Sequence, residues 1–111
     1  ASVILTNPTH YAVALKYDQG VDQAPVCVAK GVDNMAKTIR EIAAEHDIPI
    51  IENRPLARSL YAEVDVDRVI PDKHWQAVAE IISFVFQLRN NAQVRPPEGS
   101  RLRDEQDEID E

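Results

Sequence analysis

Residues 2–17 read SVILTNPTHYAVALKY, two apolar runs separated by a short polar break. The first run, residues 2–6, is rich in β-branched side chains, and the Asn-Pro pair directly after it is a strong turn signal. The second run, residues 11–17, alternates in the manner of a strand. We therefore predict two strands joined by a tight loop that residues 7–10 (NPTH) form.

The rest of the chain predicts further strands and helices in succession. Proline or glycine marks most of the boundaries, and Asp33 is a favourable N-cap residue for the first helix. The predicted elements are a strand at 25–30, a helix from 33 to about 46, a strand at 50–52, a helix at 55–63 and a helix from about 73 to 89. This order predicts an α/β fold, a small mixed β-sheet of about four strands flanked by three to four helices.

Negative charge is concentrated at one end of the chain. The formal net charge is −7, and residues 104–111 carry six carboxylates and no base, so the remainder sums to about −1. From residue 91 onward there is no apolar periodicity, and such a segment buries too little surface to offset its ordering entropy. We predict a domain over residues 1–90 and a disordered acidic tail over residues 91–111.

Composition argues against several classes of protein. The nearly neutral body of the chain lacks the basic face of a nucleic-acid binder. The single cysteine, Cys27, rules out an internal disulfide, and its place in the third strand indicates a small core residue. No apolar run approaches the roughly 20 residues of a membrane-spanning helix. No cofactor or metal is expected, since His10, His46 and His74 show no ligand spacing.

The helices differ in how much apolar surface they carry. In the first helix one stripe of residues predicts a core-facing side. The stripe comprises Val32, Met35, Ala36, Ile39, Ile42, Ala43 and His46. The last helix is apolar over more than half of its circumference. Burial on two sides is the usual reason for such a surface, and contact of one part with a partner protein is the alternative.

The residue types of the predicted loop suit one intramolecular reaction. The side-chain nitrogen of Asn7 can attack its own backbone carbonyl carbon, which closes a succinimide ring and expels the nitrogen of Pro8. The competing attack by the next backbone N–H is absent because proline has none. Neutral His10 can accept or return the proton, and Thr9 can orient the turn. Taken alone, an Asn-Pro pair between strands is most often a simple turn, with Asn7 exposed.

The same loop carries a resemblance to a known family. NPTH followed by YAVALKY at 11–17 resembles the cytoplasmic domain of the FlhB/YscU family of type III export proteins, and its flagellar branch more than its virulence-injectisome branch. The resemblance spans about residues 2–89, and the acidic run at 104–111 lies outside it. It continues through VAKG at 28–31, IREIA at 39–43, PLARSLY at 55–61, IP at 70–71 and AVAE at 77–80.

The resemblance implies a domain at the cytoplasmic face of the bacterial inner membrane that cuts itself once and is not a multiple-turnover enzyme. Asn7 is then the self-cleaving residue, Pro8 the new N-terminus, and Thr9 and His10 the supporting loop. The implied role is in switching the class of exported substrate from rod-and-hook type to filament type.

The resemblance also implies a set of protein partners. These are the exported rod, hook and filament proteins, other export-gate components such as the FlhA cytoplasmic domain, and the hook-length control protein. The implied surface for docking export substrates comprises Ala24, Pro25, Ala79 and Ile82.

Two other functions remain open at this point. The chain is alternatively a non-cleaving soluble paralogue or scaffold, in which residues 7–10 are only a structural turn. A hydrolase acting on other molecules would need a nucleophile–base pair or a metal cluster, and the sequence shows neither.

Overall fold

The two apolar runs pair around the loop as predicted. In the computed structural model, which describes residues 2–8, 10–18, 20–90 and 93–103, β1 (Val3–Asn7) is antiparallel to β2 (Tyr11–Lys16). Asn7 is the last residue of β1 and lies opposite Tyr11, so residues 8–10 close the hairpin.

Three further strands complete one mixed sheet. They are β3 (Val26–Val32), β4 (Ile50–Glu52) and β5 (Arg101–Arg103), and the strand order is β3-β2-β1-β4-β5. β1 is therefore central, with antiparallel β2 on one side and parallel β4 on the other. The parallel pair requires a crossover connection, which the first helix supplies. The predicted α/β class with a small mixed sheet is confirmed.

Helices cover both faces of this sheet. α1 (Asp33–Glu45) packs on one face, while α2 (Arg54–Glu63) and α3 (Trp75–Arg89) pack on the other. A 3-10 turn, Asp72–His74, leads into α3. α2 begins where it does because the Asn53 side chain accepts a hydrogen bond from the Leu56 N–H at 3.2 Å, with proline in the first turn.

The two faces of the sheet carry side chains of different size. On the α2 and α3 side the buried side chains are large, and the core includes Val3, Leu5, Val13, Leu15, Ile51, Leu60, Ile81 and Phe84. On the α1 side four of the buried contacts are alanines, Ala12, Ala14, Ala36 and Ala43. Small residues let a helix approach a sheet closely, so α1 lies against its face through its alanines.

The structure differs from the prediction beyond residue 90. Residues 93–103 were expected within a disordered tail, but β5 pairs antiparallel with β4, and Val94 packs against the main core. β4 would otherwise present an unpaired sheet edge, and this short segment supplies its partner. A strand of only three residues is too short to show an apolar periodicity, so the sequence alone does not predict β5. Its pairing with the edge of β4 identifies it as a strand. Residues 91, 92 and 104–111 lie outside the described ranges.

The start of α1 also differs from the prediction, and its buried side matches only part of the predicted stripe. Val32, not Asp33, occupies the N-cap position, and no side chain caps the helix there. Asp33 instead begins the helix with a φ of 46°. Met35 and Ile42 are half exposed, and the buried residues are Ala36, Arg40 and Ala43. Ala36 and Ala43 belong to the predicted stripe and are buried as expected, because close packing on the small sheet residues favours alanine there. The larger side chains of the same stripe are turned partly outward.

Candidate functional site

Asn7 occupies a more constrained place than a turn residue. It ends the central strand, it is only 6% exposed, and its main chain lies opposite Tyr11. The expectation of an exposed Asn7 is therefore wrong, because strand pairing continues one residue further than the Asn-Pro signal predicts. The next residue, Pro8, is buried as well. The bond between these two residues thus lies where a buried strand leaves the sheet.

The loop folds back on the carbonyl group that the proposed chemistry concerns. The backbone N–H of His10 donates to the Asn7 carbonyl oxygen at 2.8 Å, which closes a turn over residues 7–10. A donor at this position polarises the carbonyl and stabilises negative charge that develops on its oxygen when a nucleophile adds to the carbon. Thr9, the remaining residue of the predicted site, lies outside the described residues.

The imidazole of His10 has a charged neighbour from another part of the chain. His10 Nδ1 lies 3.6 Å from Asp33 Oδ1, and the Asp33 backbone N–H donates to the His10 carbonyl oxygen at 3.0 Å. Both side chains are mostly exposed. The contact follows from the sheet register, which places Tyr11 opposite Val32. Sequence analysis missed Asp33 as a site residue because its carboxylate suggested a helix cap.

An aromatic and cationic cluster holds the hairpin against α2. The ring of Tyr11 lies 5.0 Å, centroid to centroid, from the ring of Tyr61. Lys30 donates to the Tyr61 carbonyl oxygen at 2.9 Å and stands 5.0 Å from the centre of the Tyr61 ring. These contacts join β2, β3 and the end of α2, so the strand that follows the loop has a fixed position.

The four residues of the predicted docking surface differ in accessibility. Ala24 and Pro25 are buried, Ala79 is exposed and Ile82 is half-buried. Pro25 is joined to the start of α3 through Ile70, whose N–H donates to the Pro25 carbonyl oxygen and whose carbonyl oxygen accepts from the Trp75 indole, both at 3.0 Å. Of these four residues, the two with accessible side chains are Ala79 and Ile82, and both belong to α3.

One face of α3 presents apolar side chains to the surroundings. Trp75 is 42% exposed and Phe86 is 65% exposed. Their spacing with Ala79 and Ile82 places all four on one helical stripe. The core side of the same helix is formed by Val78, Ile81, Phe84 and Val85. Burial on two sides therefore does not account for all of this apolar surface, since one side is core and the other is uncovered within the described residues. Contact of the uncovered side with a partner protein stays a prediction.

Among the residues that the structure describes, the remaining reactive side chains do not form a second site. Cys27 is fully buried, and this burial raises the pKa of its thiol despite the opposing influence of Lys30. Lys73 and His74 both contact the Glu63 carboxylate, and their hydrogen bonds lower the pKa of Glu63. The described residues contain no group of three or more metal-ligating side chains. The hydrolase alternative gains no support from this arrangement.

Fold and loop together define the class of protein: a mixed sheet with helices on both faces, whose central strand ends at an Asn-Pro bond. The chain belongs to the FlhB HrpN YscU SpaS family, whose model matches residues 1–85. Within the described residues, no helix has both the length and the apolarity needed to cross a bilayer.

Individual relatives support the same assignment. The chain is 53% identical over 89 residues to the flagellar biosynthetic protein FlhB of Bacillus subtilis (strain 168), an alignment that covers 80% of this chain and 25% of the relative. It is 47% identical over 105 residues to FlhB of Salmonella typhimurium, covering 92% of this chain and 27% of that protein. The chain thus spans about a quarter of the length of these relatives.

A solved structure resembles the whole fold. The crystal structure of the cytoplasmic domain of FlhB from Shewanella putrefaciens superposes with a TM-score of 0.81 at 43% sequence identity. The superposition covers 87% of this chain and 79% of that domain. The predicted family is therefore confirmed, and its flagellar members are among the similar proteins.

Proposed function

We propose that this chain is the cytoplasmic domain of a flagellar type III export-gate component, and that it cuts its own backbone between Asn7 and Pro8. The observation that carries the proposal is the hydrogen bond from the His10 N–H to the Asn7 carbonyl oxygen, 2.8 Å long, at the buried end of the central strand. It places a donor on the group at which cyclisation begins.

The reaction balances within the chain. A bond forms between Asn7 Nδ2 and the Asn7 carbonyl carbon, the bond from that carbon to the Pro8 nitrogen breaks, and one proton passes from Nδ2 to the departing nitrogen. His10 supplies the general acid–base function and Thr9 supports the turn. Water later opens the succinimide at the new C-terminus. Each chain reacts once, since the reacting groups are part of the chain itself.

The proposed cut leaves a short segment held by the fold. Residues 3–7 form the central strand, hydrogen-bonded on both sides and almost completely buried. The two pieces therefore stay together under native conditions, because removal of a central strand would break two ladders and open the core.

Cleavage is tested by intact-mass measurement under denaturing conditions after incubation at neutral pH. Residues 1–7 and 8–111 should then appear as separate species that migrate as one complex under native conditions. Asn7→Ala should remain whole, and His10→Ala should be cut more slowly than the control His46→Ala, a histidine at the far end of α1. A single species of full mass after long incubation would overturn cleavage and favour the non-cleaving scaffold.

The wider role is proposed from family membership. At the cytoplasmic face of the inner membrane, the domain takes part in switching from rod-and-hook to filament substrates. Its partners in this role are those exported proteins, the hook-length control protein and other gate components such as the FlhA cytoplasmic domain. The exposed apolar stripe of α3 supports substrate docking through Ala79 and Ile82, whereas Ala24 and Pro25, the other two residues of the predicted surface, are buried.

Docking is tested separately from cleavage, with a purified rod- or hook-type export protein and the folded domain. Ala79→Asp places a charge on the exposed stripe and should weaken binding about tenfold or more. Ala62→Asp, an exposed alanine on α2, is the matched control and should bind as the unaltered chain does. If the unaltered chain, Ala79→Asp and Ala62→Asp bind equally well, the exposed stripe of α3 is not part of the docking surface.

A further inference from the structure

Within the described part of the chain, three residues combine an L side chain with a left-handed backbone. Asp33, Asp47 and Asp67 have φ values of 46°, 56° and 71°. Glycine adopts this conformation without strain, whereas other residues do so at a cost that is tolerated where the surroundings require it. Asp33 is the one of the three whose carboxylate lies against a residue of the predicted loop.

Asp33 holds His10 at two points. Its backbone N–H donates to the His10 carbonyl oxygen at 3.0 Å, and its Oδ1 atom lies 3.6 Å from His10 Nδ1. Asp33 begins α1 with a left-handed backbone, and within the described residues no side-chain hydrogen bond caps this end of the helix. The Asp33 carboxylate therefore lies beside the His10 imidazole, at the edge of the sheet where β2 begins and β3 ends.

We propose that Asp33 is a positioning residue for His10: its carboxylate, 3.6 Å from Nδ1, favours the ring orientation and tautomer that carry the proton on Nδ1, and leaves Nε2 for proton transfer at the Asn7–Pro8 bond. A carboxylate beside one imidazole nitrogen selects the tautomer and the orientation of the ring. This inference rests on the proposed cleavage for its functional consequence, but the tautomer itself is a property of the folded chain whether or not the bond is cut.

The tautomer is read by long-range proton–nitrogen NMR of the His10 ring at about pH 8, where an ordinary imidazole is neutral. The protein is the Asn7→Ala chain, which the proposed chemistry leaves whole. With Asp33 present, the ring should be in the Nδ1–H form. Asp33→Gly removes the carboxylate while keeping a residue suited to the left-handed backbone, and should return the ring to a mixture. Asp33→Asn keeps an acceptor oxygen and should largely preserve the form.

The rate of cleavage gives the second measurement, in chains that retain Asn7. Asp33→Gly should slow the appearance of residues 1–7 about two- to fivefold, the range expected for loss of an exposed ion pair. Asp47→Gly is the matched control, because it makes the same change at a left-handed position at the other end of α1. It should cleave at the unaltered rate.

The outcomes separate this inference from the proposed function. If the unaltered chain stays whole but the ring tautomer depends on Asp33, the positioning contact stands and the cleavage proposal fails. If cleavage occurs and Asp33→Gly changes neither rate nor tautomer, the positioning role is overturned. Equal slowing by Asp47→Gly would also overturn it, since the effect would then come from the helix rather than from the carboxylate.

Discussion

The Arg103 guanidinium donates to Glu52 Oε1 at 2.8 Å and joins β5, the last strand of the sheet, to β4. The Arg103 side chain is 5% exposed and the Glu52 side chain 16%, so this ion pair is shielded from water. In the parallel ladder Glu52 pairs with Thr6, and Thr6 directly precedes Asn7 in the chain. The C-terminal segment therefore supports the strand that borders the proposed cleavage site.

Arg103→Ala should lower the free energy of unfolding by about 1–3 kcal/mol at neutral pH, because it leaves a shielded carboxylate without its principal partner. Urea unfolding measures the loss. Arg95→Ala, an exposed arginine of the same segment, is the control and should change stability little. Equal stability of the two variants would mean that β5 contributes nothing through this pair.

The same pair predicts a pH dependence. Burial alone would raise the pKa of Glu52, but hydrogen bonds from Arg103 and Arg54 outweigh it and leave the pKa lowered. Because the carboxyl pKa is lower in the folded state than in the unfolded state, the ionised carboxylate stabilises the fold. This stabilisation is complete above the ordinary carboxyl pKa and is lost as the pH falls through the lower pKa of the folded state. The stability difference between the unaltered chain and Arg103→Ala should thus shrink below about pH 4. A difference that stays constant on acidification would contradict this account.

Pro8→Ala should change the product of the reaction rather than simply slow it. Alanine restores a backbone N–H after Asn7, so attack on the Asn7 side chain becomes available and leads to deamidation without chain cleavage. Intact-mass measurement should find the whole chain heavier by about 1 Da, with little of the cut form. Cleavage of Pro8→Ala at the original rate, with no deamidated product, would show that proline does not exclude the competing route.

Asn53→Ala should cost about 1 kcal/mol of stability, since the side chain accepts the Leu56 N–H at the start of α2. Asn53→Asp keeps an acceptor oxygen and should recover most of the loss. Asn34→Ala, on the exposed side of α1, is the matched control. Thermal or urea unfolding measures all three, and a loss of the same size at Asn34 would argue against a specific cap at Asn53.

Cys27 should react slowly with an aromatic disulfide reagent in the folded chain. The thiolate is the reactive form, and burial both raises the pKa of this thiol and blocks access to it. Reaction should become fast in guanidinium chloride. A cysteine at exposed Ser83, in a Cys27→Ser chain, is the control for an accessible thiol. Comparable native rates for the two cysteines would mean that β3 opens readily.

The prediction of elements from the sequence was strongest where pattern and position agree. The strands on either side of residues 7–10 were predictable because alternation and an Asn-Pro signal describe the same hairpin. The boundaries of the strands were less predictable than the strands themselves. Asn7 is a strand residue because Tyr11 pairs with it, and pairing is not a property of either residue alone.

The residues of the candidate site also divide into those that the sequence predicts and those that only the structure identifies. The chemistry that we propose for Asn7, Pro8 and His10 follows from their covalent structure and could be inferred from the sequence. Asp33 was missed because it is distant along the chain, and only the register of β3 on β2 brings it to His10. Ala24 and Pro25, which were predicted to belong to a docking surface, are buried, and the pattern of apolar residues alone does not distinguish burial from exposure.

The sequence by itself indicated the reaction that we propose, because an asparagine before a proline has one intramolecular route to chain cleavage. It also determined the α/β class, through the periods of its apolar residues. Only the tertiary structure decided that the Asn7 carbonyl accepts the His10 N–H, that the strand ending there is central, and that residues 101–103 close the sheet edge. Those relationships join groups that are distant in sequence or depend on backbone geometry, and hydrogen bonding and burial in the folded chain fix them.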